Sequence, residues 1–301
     1  MNDKVLITGS DGMVGSRFVE LQENTNNIYT PDITEFDLLN ISSMEEYIQN
    51  NNITHIINFA AYTDVQKAEN ERNDKDGLCW KINVTGTNNI VGLVKKYNIH
   101  LIHISTDMVF SGNIEDPGPY EEKHKLVNDQ NKLTWYGYTK SQSEKILKDN
   151  LDNFTILRIT YPVRAKYRQK LDILRKPLKL YDEGVLYPLF YDQQITITYI
   201  DQIYDVLNTI IYNNLFGTFH LSCKNLTSPF EIVNYLIEAK YGVKNAVSGM
   251  SIDKYQKDTK NLRYPKYSGL IADKSEKRLG IKYLNWQEIV NELVKQNISY
   301  K

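Results

Sequence analysis

Cysteine is nearly absent: Cys79 and Cys223 are the only two in 301 residues. Two thiols make neither a disulfide framework nor a thiolate metal cluster. Histidine is almost as scarce, and His55, His100, His103, His124 and His220 are scattered without ligand spacing, so no resident metal is expected. His103 and His220 fall in apparent strands, where a hydrogen-bonded structural role is the expectation. No apolar run approaches the roughly 18 residues that a spanning helix needs. The first residues enter a strand at once, with no signal-peptide shape. Excess charge is missing too: 36 Lys and Arg stand against 37 Asp and Glu, a formal net charge of -1. That balance argues for neither nucleic acid nor a membrane surface as a partner. What these absences leave is a cytoplasmic protein, long enough to bury a full α/β core.

What is present begins at Lys4-Val-Leu-Ile-Thr8, a short apolar run that reads as a buried parallel strand. It breaks into Gly9-Ser10-Asp11-Gly12-Met13-Val14-Gly15 and then into helical spacing from Ser16 to Leu21. Strand, glycine turn and helix form the context in which glycines let a backbone approach a pyrophosphate at a helix N-terminus. The spacing is G-x-x-G-x-x-G rather than the commoner G-x-G-x-x-G. A second strand from Asn27 ends at Asp32, whose carboxylate can accept from both ribose hydroxyls and repel a 2′-phosphate. Ile33 adds no positive charge there. The cofactor is therefore read as NAD(H) or NADP(H), leaning to NAD(H), although Asp32 also reads as a turn residue after Pro31. Asp37 and Leu38 follow in a loop placed for the adenine edge.

The pattern repeats. Met44 to Gln49 reads as an amphipathic helix, and Thr54 to Ala60 as a strand delivering Ala60, Ala61 and Tyr62. Trp80 to Tyr97 has helical periodicity and carries Asn83, expected to be structural, and Gly86, expected to permit close packing. Leu101 to Ser105 is the next strand, delivering Ser105, Thr106, Asp107 and Met108. The glycine turn, Asp32, Ala60 and Thr106 then share the carboxyl edge of an open parallel sheet, where such sheets bind ligands. A long loop, 112–133, leads to Tyr136 and Lys140, four residues apart and so on one helix face. An ammonium beside a phenol favours the phenolate, lowering the tyrosine from its usual value of about 10 and making a proton donor usable near neutral pH. Thr155 to Ile159 gives a further strand, ending in Thr160-Tyr161-Pro162. The basic stretch from Arg164 to Lys179 reads as a solvated helix face, with contact to a substrate diphosphate as the alternative. The architecture expected is a Rossmann-type doubly wound α/β sheet. Its dinucleotide domain takes residues 1–162 and about 194–221, and a smaller substrate region takes 163–193 and 222–301.

These residues resemble the extended short-chain dehydrogenase/reductase family, which places Thr8-Gly9-x-x-Gly12-x-x-Gly15, Ala60-Ala61, Asn83, Thr106, Tyr136 and Lys140 in this order. Within it the chain is most similar to the dTDP-4-dehydrorhamnose reductases. The likeness lies in Asn58 to Glu69, Ile104 to Phe110, Pro119 to Glu122, Asp192 to Tyr199, Phe219 to Leu221 and Arg263 to Trp286. The resemblance implies reduction of the 4-keto group of a nucleotide-linked deoxysugar, and a homodimer. It assigns Tyr136 as acid, Lys140 as the residue that tunes it and bonds the nicotinamide ribose, and Thr106 as carbonyl donor. Thr106, Asp107, Met108, Tyr136 and Tyr161 would meet substrate, and Tyr161 would also meet cofactor. Related dehydratases carry Glu where Met108 stands; a thioether moves no proton, which argues against elimination. The reductases usually carry Tyr there and Trp at Tyr161, and Arg164-Ala165 follow where glycine is usual, so the sugar pocket differs. The alternatives are a sugar-nucleotide epimerase that recycles its NAD, and a silent subunit like the methionine adenosyltransferase beta subunit.

Overall fold

The computed structural model describes residues 3–258 and 264–301. Arg263, at the start of the C-terminal stretch of resemblance, lies outside the described residues. Two compact units are present: Met1–Phe110, Lys125–Arg158 and Leu207–Phe219 form one, and Ser111–His124, Ile159–Val206 and His220–Lys301 the other. Relative to the expected division, 111–124, 159–162, 194–206 and 220–221 fall in the second unit.

The first unit is built on parallel strands. β1 (Val5–Thr8), β3 (His55–Asn58) and β4 (His100–Thr106) are buried along their whole length. Strands covered on both faces read as continuous apolar runs, which is why the sequence shows no alternation there. β2 is short (Ile28–Tyr29), because Pro31 two residues on removes a ladder donor. With β5 (Phe154–Ile159) and a late strand, Gly217–Leu221, the order is β2-β1-β3-β4-β5 and then that strand. β1 pairs in parallel with both β2 and β3, so the order reverses at β1/β3, the switch point at which doubly wound sheets bind ligands.

The helices α1 (Met13–Glu20), α2 (Ile41–Asn51), α3 (Val65–Asn70), α4 (Leu78–Trp80), α5 (Gly86–Tyr97) and α6 (Trp135–Asn150) connect these strands. The helix expected from Trp80 to Tyr97 is broken by a π turn, Lys81–Thr85. Within it the Asn83 carbonyl accepts from the Thr87 hydroxyl at 2.6 Å and, from α6, the Ser143 hydroxyl at 2.5 Å. Gly86 packs so closely that a Cβ there would stand 2.9 Å from Leu38 Cβ.

In the second unit, β6 (Pro162–Val163) pairs with β8 (Thr198–Tyr199), and β7 (Leu189–Phe190) with β10 (Gly249–Met250). Its helices are α7 (Arg175–Asp182), α8 (Ile203–Tyr212, shared with the first unit), α9 (Pro229–Tyr241), α10 (Ile252–Asp258), α11 (Asp273–Leu279) and α12 (Trp286–Lys295), and β9 is the strand Gly217–Leu221. α9 and α12 pack together and both start with capping boxes, Ser228 with Glu231 and Asn285 with Glu288. Each box satisfies two helix-end donors and contributes about 1 kcal/mol. The basic stretch is solvated at Lys166, Arg168, Lys170 and Lys176, but Arg175 is fully buried on Asp172 Oδ2 at 2.6 Å, and Arg164 is buried too.

Two buried titratable groups of the first unit are held away from their ordinary values. His100 is pushed from 6.5 down to about 4, by burial and then by His55. Burial works against the Glu144 charge, but Arg158, Lys148 and Ser105 outweigh it and bring Glu144 from 4.5 down to about 2. A lowered pKa means that the unfolded chain binds the proton more readily, so acid favours unfolding. The urea midpoint should be flat only between about pH 8 and 6.5, because buried Lys140 and the two thiols contribute above that range. It should fall between 6.5 and 4 through His100, with His55 and His103 acting in the same direction, and fall again between 4.5 and 2 as Glu144 is neutralised. Each step should cost on the order of 3 kcal/mol. A midpoint independent of pH down to 4 would contradict the assignment of His100.

Candidate active site

The turn after β1 is shaped by close backbone approach. Gly9 has φ +64°, and a Cβ on it would lie 2.8 Å from Ala60 N. A Cβ on Gly15 would lie 2.4 Å from Gly9 O, so α1 can press its first turn against the loop only without one. Gly12 is the N-cap of α1 and offers no side-chain oxygen. Ser10 and Asp11 form the outer part of the turn, and Met13 and Val14 open the helix, half-buried. Such a bare backbone cradle at a helix N-terminus and a sheet switch point fits a dinucleotide pyrophosphate.

The flanking residues are more mixed. Asp32 is exposed, and its Oδ1 accepts from Thr34 N at 2.7 Å, Thr34 Oγ1 at 2.6 Å and Glu35 N at 3.2 Å, so this oxygen organises the turn. Asp37 Oδ1 likewise accepts from Leu39 N. The Leu38 side chain lies in the core of the unit rather than in the loop surface, because Gly86 opens a place for it. Ala60 and Ala61 follow β3 half-buried. Tyr62 is held at both backbone groups by Asn83, which accepts from Tyr62 N at 2.8 Å and donates to Tyr62 O at 3.1 Å. Asn83 also donates to Thr139 Oγ1 at 2.9 Å, so this polar residue joins the loop after β3 to α6.

Thr106 ends β4 and caps the 3-10 turn Asp107–Val109, accepting from Met108 N at 3.2 Å. Its hydroxyl is 3.2 Å from Asp107 Oδ1. Tyr136 lies in the first turn of α6, capped by Thr134 Oγ1, which accepts from Gly137 N at 3.0 Å. Trp135 N donates to Glu69 Oε2 at 2.9 Å, anchoring the same turn. Tyr136, Trp135, Ala68 and Cys79 form one small buried cluster, with Met108 packed against it. The phenol is pushed above its ordinary 10 by burial, then by Asp107 and Cys79, while a hydrogen bond with Thr106 works the other way. Lys140 is buried one turn on, and burial pushes it down to about 8. The expected lowering of Tyr136 by Lys140 is therefore corrected. The lysine nitrogen is turned to β4, 2.9 Å from His103 Nε2 and donating to Ile104 O at 2.8 Å.

Sequence reasoning passed over the groups that hold this arrangement. Glu144 continues the Tyr136–Lys140 spacing by four more residues, and its Oε1 accepts from Ser105 Oγ at 2.7 Å and Arg158 Nε at 2.8 Å. Arg158 was visible as a lone charge inside an apolar strand. His103 was read as structural; it is hydrogen-bonded, but to Lys140. Gly137 was passed over as well, although a glycine one residue after the tyrosine marks a close contact. Tyr161 belongs to the second unit, with a left-handed φ of +37° and its hydroxyl 3.4 Å from Gln193 Nε2. For a bulky side chain such a φ is strained, a condition that clusters at functional sites.

The glycine cradle and the switch point lie at the carboxyl edge of the sheet where Thr106 ends β4, with Tyr136 and Lys140 on α6. The fold and family are those of a nicotinamide-dependent oxidoreductase of the short-chain dehydrogenase/reductase type. The chain belongs to the RmlD substrate binding domain family, whose model matches residues 3–298. A dTDP-4-dehydrorhamnose reductase of Sinorhizobium fredii is 27% identical over 302 aligned residues, covering 97% of this chain and 96% of the relative. The crystal structure of a dTDP-4-dehydrorhamnose reductase of Bacillus anthracis in complex with NADP matches with a TM-score of 0.83 and 26% identity, over 98% of this chain and 100% of that one. A dTDP-glucose 4,6-dehydratase of the same organism shares the fold, with a TM-score of 0.73 and 18% identity over 97% and 96% of the two chains. No helix among the described residues is long and apolar enough to cross a membrane.

Gly137 gives a direct test of the packing. A Cβ there would stand 2.2 Å from Met108 O, a backbone atom that cannot step aside alone. Gly137→Ala should lose about 1–3 kcal/mol in urea unfolding, as overpacking does. An unchanged midpoint would mean that α6 does not seat on the 3-10 turn as described.

Proposed function

We propose that the protein reduces the 4-keto group of a nucleotide-linked 4-keto-6-deoxysugar with a nicotinamide cofactor. The observation that carries this reading is the burial of Tyr136 beside Thr106, with Lys140 one turn along the same helix. The relatives' names supply the substrate class, and the bare cradle at Gly9, Gly12 and Gly15 supports the cofactor. When bound, the reduced nicotinamide supplies the hydride. Tyr136 gives its phenolic proton to the carbonyl oxygen as that oxygen gains charge, completing the alcohol. Thr106, capping the 3-10 turn, presents its hydroxyl to the same oxygen and stabilises the developing charge. Lys140 in its charged form favours the phenolate left behind. Met108 provides no acid or base, which fits a reduction that needs one proton donor. The strained backbone of Tyr161 supports a place for this side chain in substrate recognition.

Net consumption of cofactor separates this reading from epimerisation, which returns its hydride, and from a silent subunit, which moves none. Tyr136→Phe should retain cofactor binding, read by fluorescence, and lose at least about 100-fold in kcat, the typical contribution of a positioned acid. Normal turnover by that variant would remove Tyr136 as the proton donor.

On the cofactor, Asp32 keeps a negative charge at the end of β2, and its exposed neighbour Ile33 offers no cation for a 2′-phosphate. This favours NADH, even though the Bacillus anthracis relative holds NADP. kcat/KM should be about tenfold higher with NADH than with NADPH, a difference of about 1.4 kcal/mol. Equal values under identical conditions would sink the preference.

A further inference from the structure

Behind Lys140 runs a buried chain of polar side chains that the reduction itself does not use. Ala60 N donates to Thr8 Oγ1 at 3.2 Å, and Thr8 Oγ1 stands 2.6 Å from Asn58 Oδ1. Asn58 Nδ2 is 3.1 Å from His103 Nδ1, and His103 Nε2 is 2.9 Å from Lys140 Nζ. Thr8, Asn58, His103 and Lys140 are all buried, and the chain runs through adjacent strands β1, β3 and β4 to α6.

The geometry assigns the protons, starting from Thr8. A separation of 2.6 Å suits O–H···O and is short for N–H···O, so the Thr8 hydroxyl donates and Asn58 presents its oxygen to it. Asn58 then turns its NH2 to His103 Nδ1, which must accept. Burial holds His103 well below its ordinary 6.5, so the ring is neutral and carries a single proton. With Nδ1 an acceptor, that proton is on Nε2 and points at Lys140. An amine can accept it while donating to Ile104 O; an ammonium cannot.

We infer that His103 is a positioning residue for Lys140: held by Thr8 and Asn58 with its proton on Nε2, it orients the lysine nitrogen and disfavours its ammonium. The effect adds to burial, which already brings Lys140 down to about 8. The other titratable groups felt at Lys140 are Glu144, one turn along α6, and Cys79 from α4, both favouring the ammonium. Glu144 is itself held by Arg158 and Lys148. His103 thus sets how readily Lys140 changes protonation in the cofactor-free protein. The functional meaning of this rests on the proposed reductase reading; the proton positions do not.

The test therefore uses neither substrate nor cofactor. Long-range 1H–15N correlation on the isotope-labelled protein reports which His103 nitrogen is protonated, and the 15Nζ shift of Lys140 reports its titration. The expected result is a proton on Nε2 and a Lys140 midpoint at or below about 8. In His103→Gln, whose amide oxygen can accept from an ammonium, the midpoint should rise by at least about one pH unit. Asn58→Leu should do the same with the imidazole still present, because Nδ1 can then take the proton. A wild-type proton on Nδ1 overturns the inference without any variant having to fold. A Lys140 midpoint unchanged in both variants overturns it as well. Failure of the reductase reading would show separately, as turnover that survives Tyr136→Phe.

Discussion

The ion pair between Glu144 and Arg158 is the constraint on which the site depends. Both side chains are fully buried, joined through Arg158 Nη2 to Glu144 Oε2 at 2.6 Å and Nε to Oε1 at 2.8 Å. Burying a lone carboxylate or guanidinium is costly, so each group demands the other, and breaking such a pair typically costs 3–5 kcal/mol. Ser105 fills part of the remaining acceptor capacity from β4, Lys148 fills another part from α6, and the Arg158 guanidinium lies over the Phe110 ring. One interaction therefore ties α6 to β4 and β5. Its consequence is the placement of Tyr136 and Lys140, which stand two turns and one turn before Glu144 on the same helix face.

Around that clamp, close approaches do what hydrogen bonds alone cannot. Gly137 lets α6 come down on Met108 O, which brings the phenol to the threonine that ends β4. Gly9 and Gly15 let the loop after β1 fold against Ala60 and against the start of α1. Asn83, set in a π turn, ties the loop after β3 to α6 through Tyr62 and Thr139. The glycine turn, Ala60 and Thr106 thus stand at the ends of β1, β3 and β4 of one sheet, with the first turn of α6 seated beside them. A site on strand and helix ends keeps its geometry better than one on free loops.

Much of this was legible in advance. Buried parallel strands announce themselves as short β-branched runs, and β1, β3, β4 and β5 fell where those runs are. The glycine turn between β1 and α1, Thr106 at the end of β4, and Tyr136 and Lys140 on one helix stand where their spacing puts them. Asp32 was read in two ways, and its Oδ1 lies in the turn. Leu38 was placed in a loop and has its side chain in the core, because the space beside Gly86 is a property of two distant segments meeting. The basic stretch is exposed at most of its lysines, as its composition suggests, and departs from that at Arg175, whose burial on Asp172 depends on packing that composition does not encode.

The sequence by itself determined the main strand and helix types, the glycine turn, and which titratable side chains stand at fixed offsets on α6, because those follow from local pattern and side-chain chemistry. The tertiary structure decided their electrostatics. That Tyr136 is pushed up rather than down, and that Lys140 faces His103, depends on which groups share a buried space across β1, β3, β4 and α6. The strength of an ionisation is set by neighbours and exclusion of water, and neither is encoded in spacing along the chain.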